Sequence, residues 1–163
     1  MNKKTIEDIL FEGTTSWNAK DEFLPMFDML YPAHEDGCTF YQGCGEDICT
    51  LLVPNIDIHV FSDLNTECFK RIKYKLNKLS EVGYISELNH PKQDETRLMY
   101  RGHSKVLRYT QRSISEINFA QSYGSLKLIF EFNPGTSALC RTFWDAVASQ
   151  LAPGGYLCSD GGC

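Results

Sequence analysis

Apolar positions change their spacing several times along this chain, and each change marks an element. Residues Lys4–Phe11 place Ile6, Ile9 and Leu10 on one side of a short helix stopped by Gly13. A second helix is expected from Asp21 to Leu30, with Leu24, Phe27, Leu30 and Tyr31 as its buried stripe and Pro25 near its first turn. The apolar run Cys38-Thr39-Phe40-Tyr41 reads as a first strand over Thr39–Gln42. A short helical pattern, Asp47–Val53, follows and is broken by Pro54-Asn55; Ile56–Phe61 is the second strand. Phe69, Ile72, Leu76 and Leu79 then recur at spacings of three, four and three, the pattern of a helix packed on a sheet. Asn65 or Thr66 can cap it, Glu67 suits its first turn and Gly83 its C-terminal stop, while Lys70, Lys73 and Lys78 point elsewhere.

From Tyr84 to Arg112 the period falls to two. Arg97–Arg101 and Lys105–Tyr109 flank Gly102-His103-Ser104, which predicts a β-hairpin. Ser113–Phe119 is read as a short helix, and Leu126–Phe130 as a strand leading into Glu131-Phe132-Asn133-Pro134-Gly135. Thr136 or Ser137 caps a last helix with Leu139, Phe143, Val147 and Leu151 on one face and Trp144 beside them. Pro153-Gly154-Gly155 stops that helix, and Tyr156-Leu157-Cys158 begins a final strand. Strands alternating with helices imply an α/β fold: a mostly parallel, three-layer Rossmann-like sheet with right-handed crossovers and an inserted β-hairpin. The expected organisation is one domain over 1–163, with N-terminal helices in 1–36 and an α/β core in 37–163.

In such sheets ligands bind beyond the carboxyl ends of the strands. The Gly43-Cys44-Gly45 turn lies at the first such end, and Asp63 lies at the second, eighteen residues after Gly45. Glycines let the backbone turn sharply and come close to a ligand. The helix after them would offer free N–H groups. An acid at a strand tip can accept hydrogen bonds from ribose hydroxyls. The alternative is that Asp63 is a turn acid capping the next helix and the two glycines plain turn residues; the place at the strand end favours ligand contact.

Composition places these elements in a globular chain of 163 residues with no apolar stretch of membrane-spanning length. The first residues lack an apolar signal core, so the cytoplasm is the expected compartment. The seven cysteines are expected to be reduced thiols. Cys38, Cys44, Cys49 and His34 fit no common zinc spacing, and no metal is expected. His59 reads as a core or sheet-face histidine, and Trp17 and Trp144 as packing residues.

The net charge of −5 is unevenly spread. Between Lys70 and Arg112 lie eleven of the sixteen Lys and Arg residues and four acids, a local balance of +7. This window could face an acidic or protein partner, or be a solvated helix face and hairpin. No arginine-rich or aromatic RNA-binding motif accompanies it.

Taken together, Tyr41-Gln42-Gly43-Cys44-Gly45, Phe61-Ser62-Asp63-Leu64, Leu128–Pro134 and Leu151-Ala152-Pro153-Gly154-Gly155-Tyr156-Leu157 resemble, in order and spacing, the motifs of the class I S-adenosylmethionine-dependent methyltransferases. The resemblance spans roughly Cys38 to Cys158. It implies S-adenosylmethionine as cofactor, held by Gly43, Cys44, Gly45, Asp63 and Ser113. It also implies a methyl acceptor oriented by Asn133; Glu131 beside it reads either as a general base or as a sheet-edge charge. Three departures accompany it. Tyr41 stands where the family commonly has an acid near the methionine amine. Neither Arg112 nor Ser113 supplies the acid expected after strand three. The usual final strand pair is lacking, which would leave an edge open to a second copy in a homodimer, unless the N-terminal helices cover it. A second reading is therefore a catalytically inactive protein of this fold that acts as a protein-binding or inhibitory module. A nicotinamide-dependent oxidoreductase fits less well, since the third glycine of the dinucleotide fingerprint is missing.

Overall fold

In the computed structural model, the structure describes residues 6, 8–10, 26, 28–53, 55–131 and 141–159. Seven strands form one sheet: β1 (Cys38–Gln42), β2 (Ile58–Ser62), β3 (Ser86–Lys92), β4 (Glu95–Tyr100), β5 (His103–Thr110), β6 (Leu126–Glu131) and β7 (Leu151–Ser159). Their spatial order is β3-β4-β5-β2-β1-β6-β7. The five strands β5-β2-β1-β6-β7 run parallel, while β3 and β4 are antiparallel additions beside β5. The α/β fold expected from the sequence is thus the observed one.

Strand alternation builds two cores. Tyr41, Phe61, Leu107, Tyr109, Leu128 and Phe130 face one side of the sheet. There they meet Ile72, Leu76 and Leu79 of α1 (Glu67–Glu81), all three fully buried. Phe40, Val60 and Ile129 face the other side and meet Phe119 of α2 (Phe119–Ser122) and Phe143 and Val147 of α3 (Arg141–Gln150). Helix, sheet and helix make the three layers. Among the N-terminal residues, 6, 8–10, 26 and 28–30 are helical. Leu10 is buried, and Ile6, Ile9, Met26 and Leu30 pack against the α1 side. Leu24, Phe27 and Trp17 lie outside the described residues.

Several expectations change in detail. The helix after β1 is a single 3-10 turn, Cys49–Leu52. Leu51 N–H donates to Ile48 O and Val53 N–H to Thr50 O, while the buried Asp47 carboxylate takes the Cys49 N–H. One turn so occupied has neither the free amides nor the aligned dipoles of a long helix. The expected hairpin exists, with Arg101 (φ +50°) and Gly102 (φ +82°) as its turn, a pair of positive angles that matches the right-handed strand twist. Its second strand, however, is also the third parallel strand, and β3 adds a further antiparallel neighbour. β3 is exposed, irregular and carries Pro91, all features that suit an edge. The last helix ends at Gln150, so Leu151 belongs to β7 and pairs with Leu126. A Cβ on Gly155 would lie 2.9 Å from Lys127 O and 3.0 Å from Ala152 O, which explains why glycine stands where β7 settles against β6. The caps Thr136 and Ser137, and Leu139, lie outside the described residues. No helix of the described residues is long and apolar enough to cross a membrane.

Candidate functional site

The chain crosses from β1 to β2 and β5 on one side, and from β6 to β7 on the other. The switch point therefore falls between β1 and β6, whose last residues, Gln42 and Glu131, are partners in the ladder. Open α/β sheets bind ligands above this point. Glu131 is 2% exposed, a carboxylate brought to the carboxyl edge by the strand pattern. Asn133 lies outside the described residues.

The loop after β1 turns on Gly43 (φ +65°) and Gly45 (φ +54°), angles that L side chains adopt only under strain. Beyond its own chain neighbours, no atom of the described residues lies within 4 Å of where a Gly45 Cβ would sit, so these residues leave the space beside the loop open. Asp63 fixes this loop to the tip of β2. Its Oδ2 accepts Gly45 N–H at 2.8 Å and its Oδ1 accepts Asn65 N–H at 2.8 Å. The carboxylate thus makes the turn contact of a capping acid and the contact that draws the glycine loop over β2. It retains acceptor capacity, since each oxygen carries two lone pairs.

Cys44 is turned inward. Its amide donates to Ser62 O, and burial pushes its thiol well above the ordinary range. A thiol so placed is not a nucleophile, and the Cys44 amide is already taken by Ser62 O. Tyr41 is also buried, and its hydroxyl donates to Asp47 Oδ2 at 2.9 Å. Burial raises the Asp47 carboxyl, opposed by the Cys49 amide, Tyr41 and the Lys75 charge. Lys75 itself is 2% exposed and donates to Glu46 O at 2.9 Å. An acid is therefore present behind the glycine loop, six residues after Tyr41. Asp47 and Lys75 were not among the sequence candidates. The available signal was Lys75 itself, which lies between Ile72 and Leu79 on the apolar stripe.

The loop after β5 is stitched to the same edge. Gln42 Oε1 accepts Ile114 N–H at 3.1 Å, and Ser62 Oγ donates to Arg112 O at 2.7 Å. Ser113 begins a capping box, in which Glu116 Oε2 accepts the Ser113 amide at 2.7 Å and its hydroxyl at 3.0 Å. The Ser113 amide holds the Glu116 carboxyl below its usual range. Glu116 is the acid of this loop, three residues beyond the expected place, and Ser-x-x-Glu was its sequence signature. Gly43, Gly45, Asp63, Ser113 and Glu131 thus share one edge of the sheet. Among the described residues, no group of three His, Cys, Asp or Glu side chains could hold a metal ion.

No protein-family model matches the sequence, and no curated protein matches it. Solved structures do. A precorrin 8w decarboxylase from Methanobacterium thermoautotrophicum superposes with a TM-score of 0.53 at 14% identity, over 85% of this chain and 61% of that one. An S-adenosylmethionine-dependent methyltransferase from Clostridium acetobutylicum gives a TM-score of 0.53 at 16% identity, over 96% and 55% of the two chains. Another from Thiobacillus denitrificans, in complex with S-adenosyl-L-homocysteine, gives 0.53 at 12% identity, over 98% and 56%. The chain spans less than two thirds of the length of these neighbours. The fold is class I methyltransferase-like.

Proposed function

We propose that this chain is an S-adenosylmethionine-binding protein of the methyltransferase type, with the cofactor held across the carboxyl edge of β1, β2 and β5. The observation that carries the reading is the Asp63 bridge to Gly45, which sets an acid and an open glycine turn side by side next to the switch point. In this arrangement the Gly43–Gly45 backbone borders the methionine end and Asp63 the ribose hydroxyls. Ser113 and Glu116 border the base. Glu131 stands nearest the transferred methyl; Asn133, outside the described residues, is the residue whose chemistry suits orienting the acceptor. Bound there, the cofactor supplies an electrophilic methyl group; the chain's own contribution is positioning and exclusion of water.

Calorimetric titration with S-adenosylmethionine and S-adenosylhomocysteine tests the reading. Both are expected to bind, and Asp63→Asn to weaken binding by about 1–3 kcal/mol while circular dichroism stays unchanged. Lack of binding by either compound at millimolar concentration would overturn it. Unchanged affinity in the variant would remove Asp63 from the site.

The second reading, a protein of this fold without transfer activity, is favoured by one observation. Both Asp63 oxygens already serve the backbone. Cofactor binding without methyl transfer to any offered acceptor would select it.

A further inference from the structure

A second concavity lies on the same edge, between α1 and the turn joining β3 to β4. It is about 470 Å³. One wall is the start of α1, the floor is the end of β5, and the far wall is Gln93 and Asp94. The antiparallel addition that distinguishes this sheet from its parallel core therefore builds part of the cleft. Phe69 and Tyr109 line it with rings 5.4 Å apart and inclined by 36°. Lys73 Nζ lies 5.4 Å from the Tyr109 ring centroid and donates to Gln93 O at 2.8 Å, which ties α1 to the turn. Lys70, one turn earlier, is exposed and pairs with Glu67 at 2.6 Å. The Tyr109 hydroxyl donates to Thr96 Oγ1, which also meets His90 Nδ1 at 2.8 Å, so the floor is held from behind. Partial burial lowers the Lys73 ammonium, opposed by Asp94. Perturbed side chains in a concave, partly aromatic site are the usual signature of ligand binding.

We propose that this cleft is a ligand site separate from the glycine loop, and that it takes a nucleoside monophosphate. Three features select that chemistry. The exposed part of Phe69 gives a flat apolar wall on which a base can stack. Lys70 and Lys73, three residues apart on one helix, both line the cleft and bring two positive charges to it that can turn to a phosphate. Asp94 opposite them repels a phosphate but accepts hydrogens from a base amino group or a ribose hydroxyl. Inorganic phosphate lacks the stacking, and a neutral aromatic lacks the charge. The site also gives a use to part of the basic window that the cofactor reading leaves idle. Gln111, which lines the cleft, donates to Leu64 O at 2.9 Å, which fixes this wall to the segment after β2.

Titration of the full chain with AMP and GMP, followed by calorimetry, tests this. Saturable binding is expected, weakening as salt is raised. Lys70→Gln, at an exposed position, and Phe69→Leu are each expected to weaken it by about tenfold. Adenosine and inorganic phosphate are each expected to bind at least about tenfold more weakly than AMP. Saturating S-adenosylhomocysteine should leave the AMP affinity unchanged. Displacement of AMP by that compound would assign the binding to the glycine loop and overturn the proposal, as would affinity insensitive to both substitutions. Nucleotides that fail to bind a protein that does bind S-adenosylhomocysteine would overturn this site alone. A short single-stranded oligoribonucleotide forms the parallel arm. Tighter binding than AMP would mean the same unit is read within a strand, and equal or weaker binding would mean the free nucleotide.

Discussion

Tyr41 occupies the place where an acid was expected, yet its hydroxyl reaches one. The phenol donates to Asp47 within the core beneath the glycine loop, and Asp47 in turn accepts the Cys49 amide. Both oxygens of a carboxylate with almost no water contact are thereby served. Tyr41→Phe leaves the ring packing against Phe130 but removes the donor from Asp47 Oδ2. It is expected to cost about 1–3 kcal/mol in urea unfolding, the penalty for stripping a buried acceptor of its partner. No loss would show that Asp47 is protonated or re-paired in the folded chain. At this scale the sequence exposed some of the site and hid the rest. Gly43, Gly45 and Asp63 were legible because turn glycines and strand-tip acids act close to their own position. Asp47 and Lys75 were not, because their role depends on burial, which only packing sets. Glu116 stood between: its capping signature is present at Ser113, but the acid lies three residues beyond the place where the resemblance implies one.

At the scale of elements, β5 carries the most unusual burden. Lys105 on this strand is fully buried on the α1 side of the sheet. Its ammonium donates to Ile56 O at 2.6 Å and Val53 O at 3.3 Å, and Asp57 Oδ1 lies 3.7 Å away. It thus ties β5 to the segment entering β2. His59, also fully buried, bonds Thr39 across the sheet, and its basicity is driven well down by burial and by Lys105. Burial lowers Lys105 from 10.5 to about 8, against the pull of Asp57. The folded chain therefore releases this proton more readily than the unfolded chain does, and stability from this group rises with pH from about 8 to 10.5 and is flat below. The full effect is on the order of 3 kcal/mol. Buried thiols act in the opposite sense above pH 9, since Cys38 is pushed up to about 12 and Cys158 to about 11. Comparing urea unfolding of the native chain with Lys105→Met across this range isolates the lysine. The native chain should gain on the variant as pH rises, and a constant difference would refute the shift. The sequence assigned Lys105 to a strand by its period of two, and the same period places it beside Leu107 and Tyr109 on the core face. What period alone could not supply was the ring of carbonyls and Asp57 that makes a charge tolerable there.

At the scale of the whole molecule, the order β3-β4-β5-β2-β1-β6-β7 decides where chemistry can occur. Among the described residues it leaves two edges. β3 is guarded by Pro91, exposed polar side chains and broken register. β7 is flanked on one side by β6, and its Tyr156 meets Tyr31 at 6.0 Å. We propose that the outer side of β7 pairs with a second copy. Sedimentation equilibrium should then show a concentration-dependent dimer, and Tyr156 contacts should change on dilution. A monomer at all concentrations would overturn the dimer and favour covering of this edge within the chain.

By itself the sequence determined the alternation of strands and helices, the amphipathic stripe of α1, the hairpin turn at Gly102 and the glycine and acid at the first two strand ends. These follow from side-chain period and backbone freedom, which act over a few residues. Tertiary structure alone decided that β5 serves both a hairpin and the parallel sheet, that the segment after β1 tightens to one 3-10 turn, and that Asp47, Lys75 and Lys105 are interior charges. It also decided that Asp63 holds Gly45 rather than standing apart from it. Each of these depends on groups distant in sequence meeting where water is excluded, and there a charge or an amide must find a partner or pay its full desolvation cost.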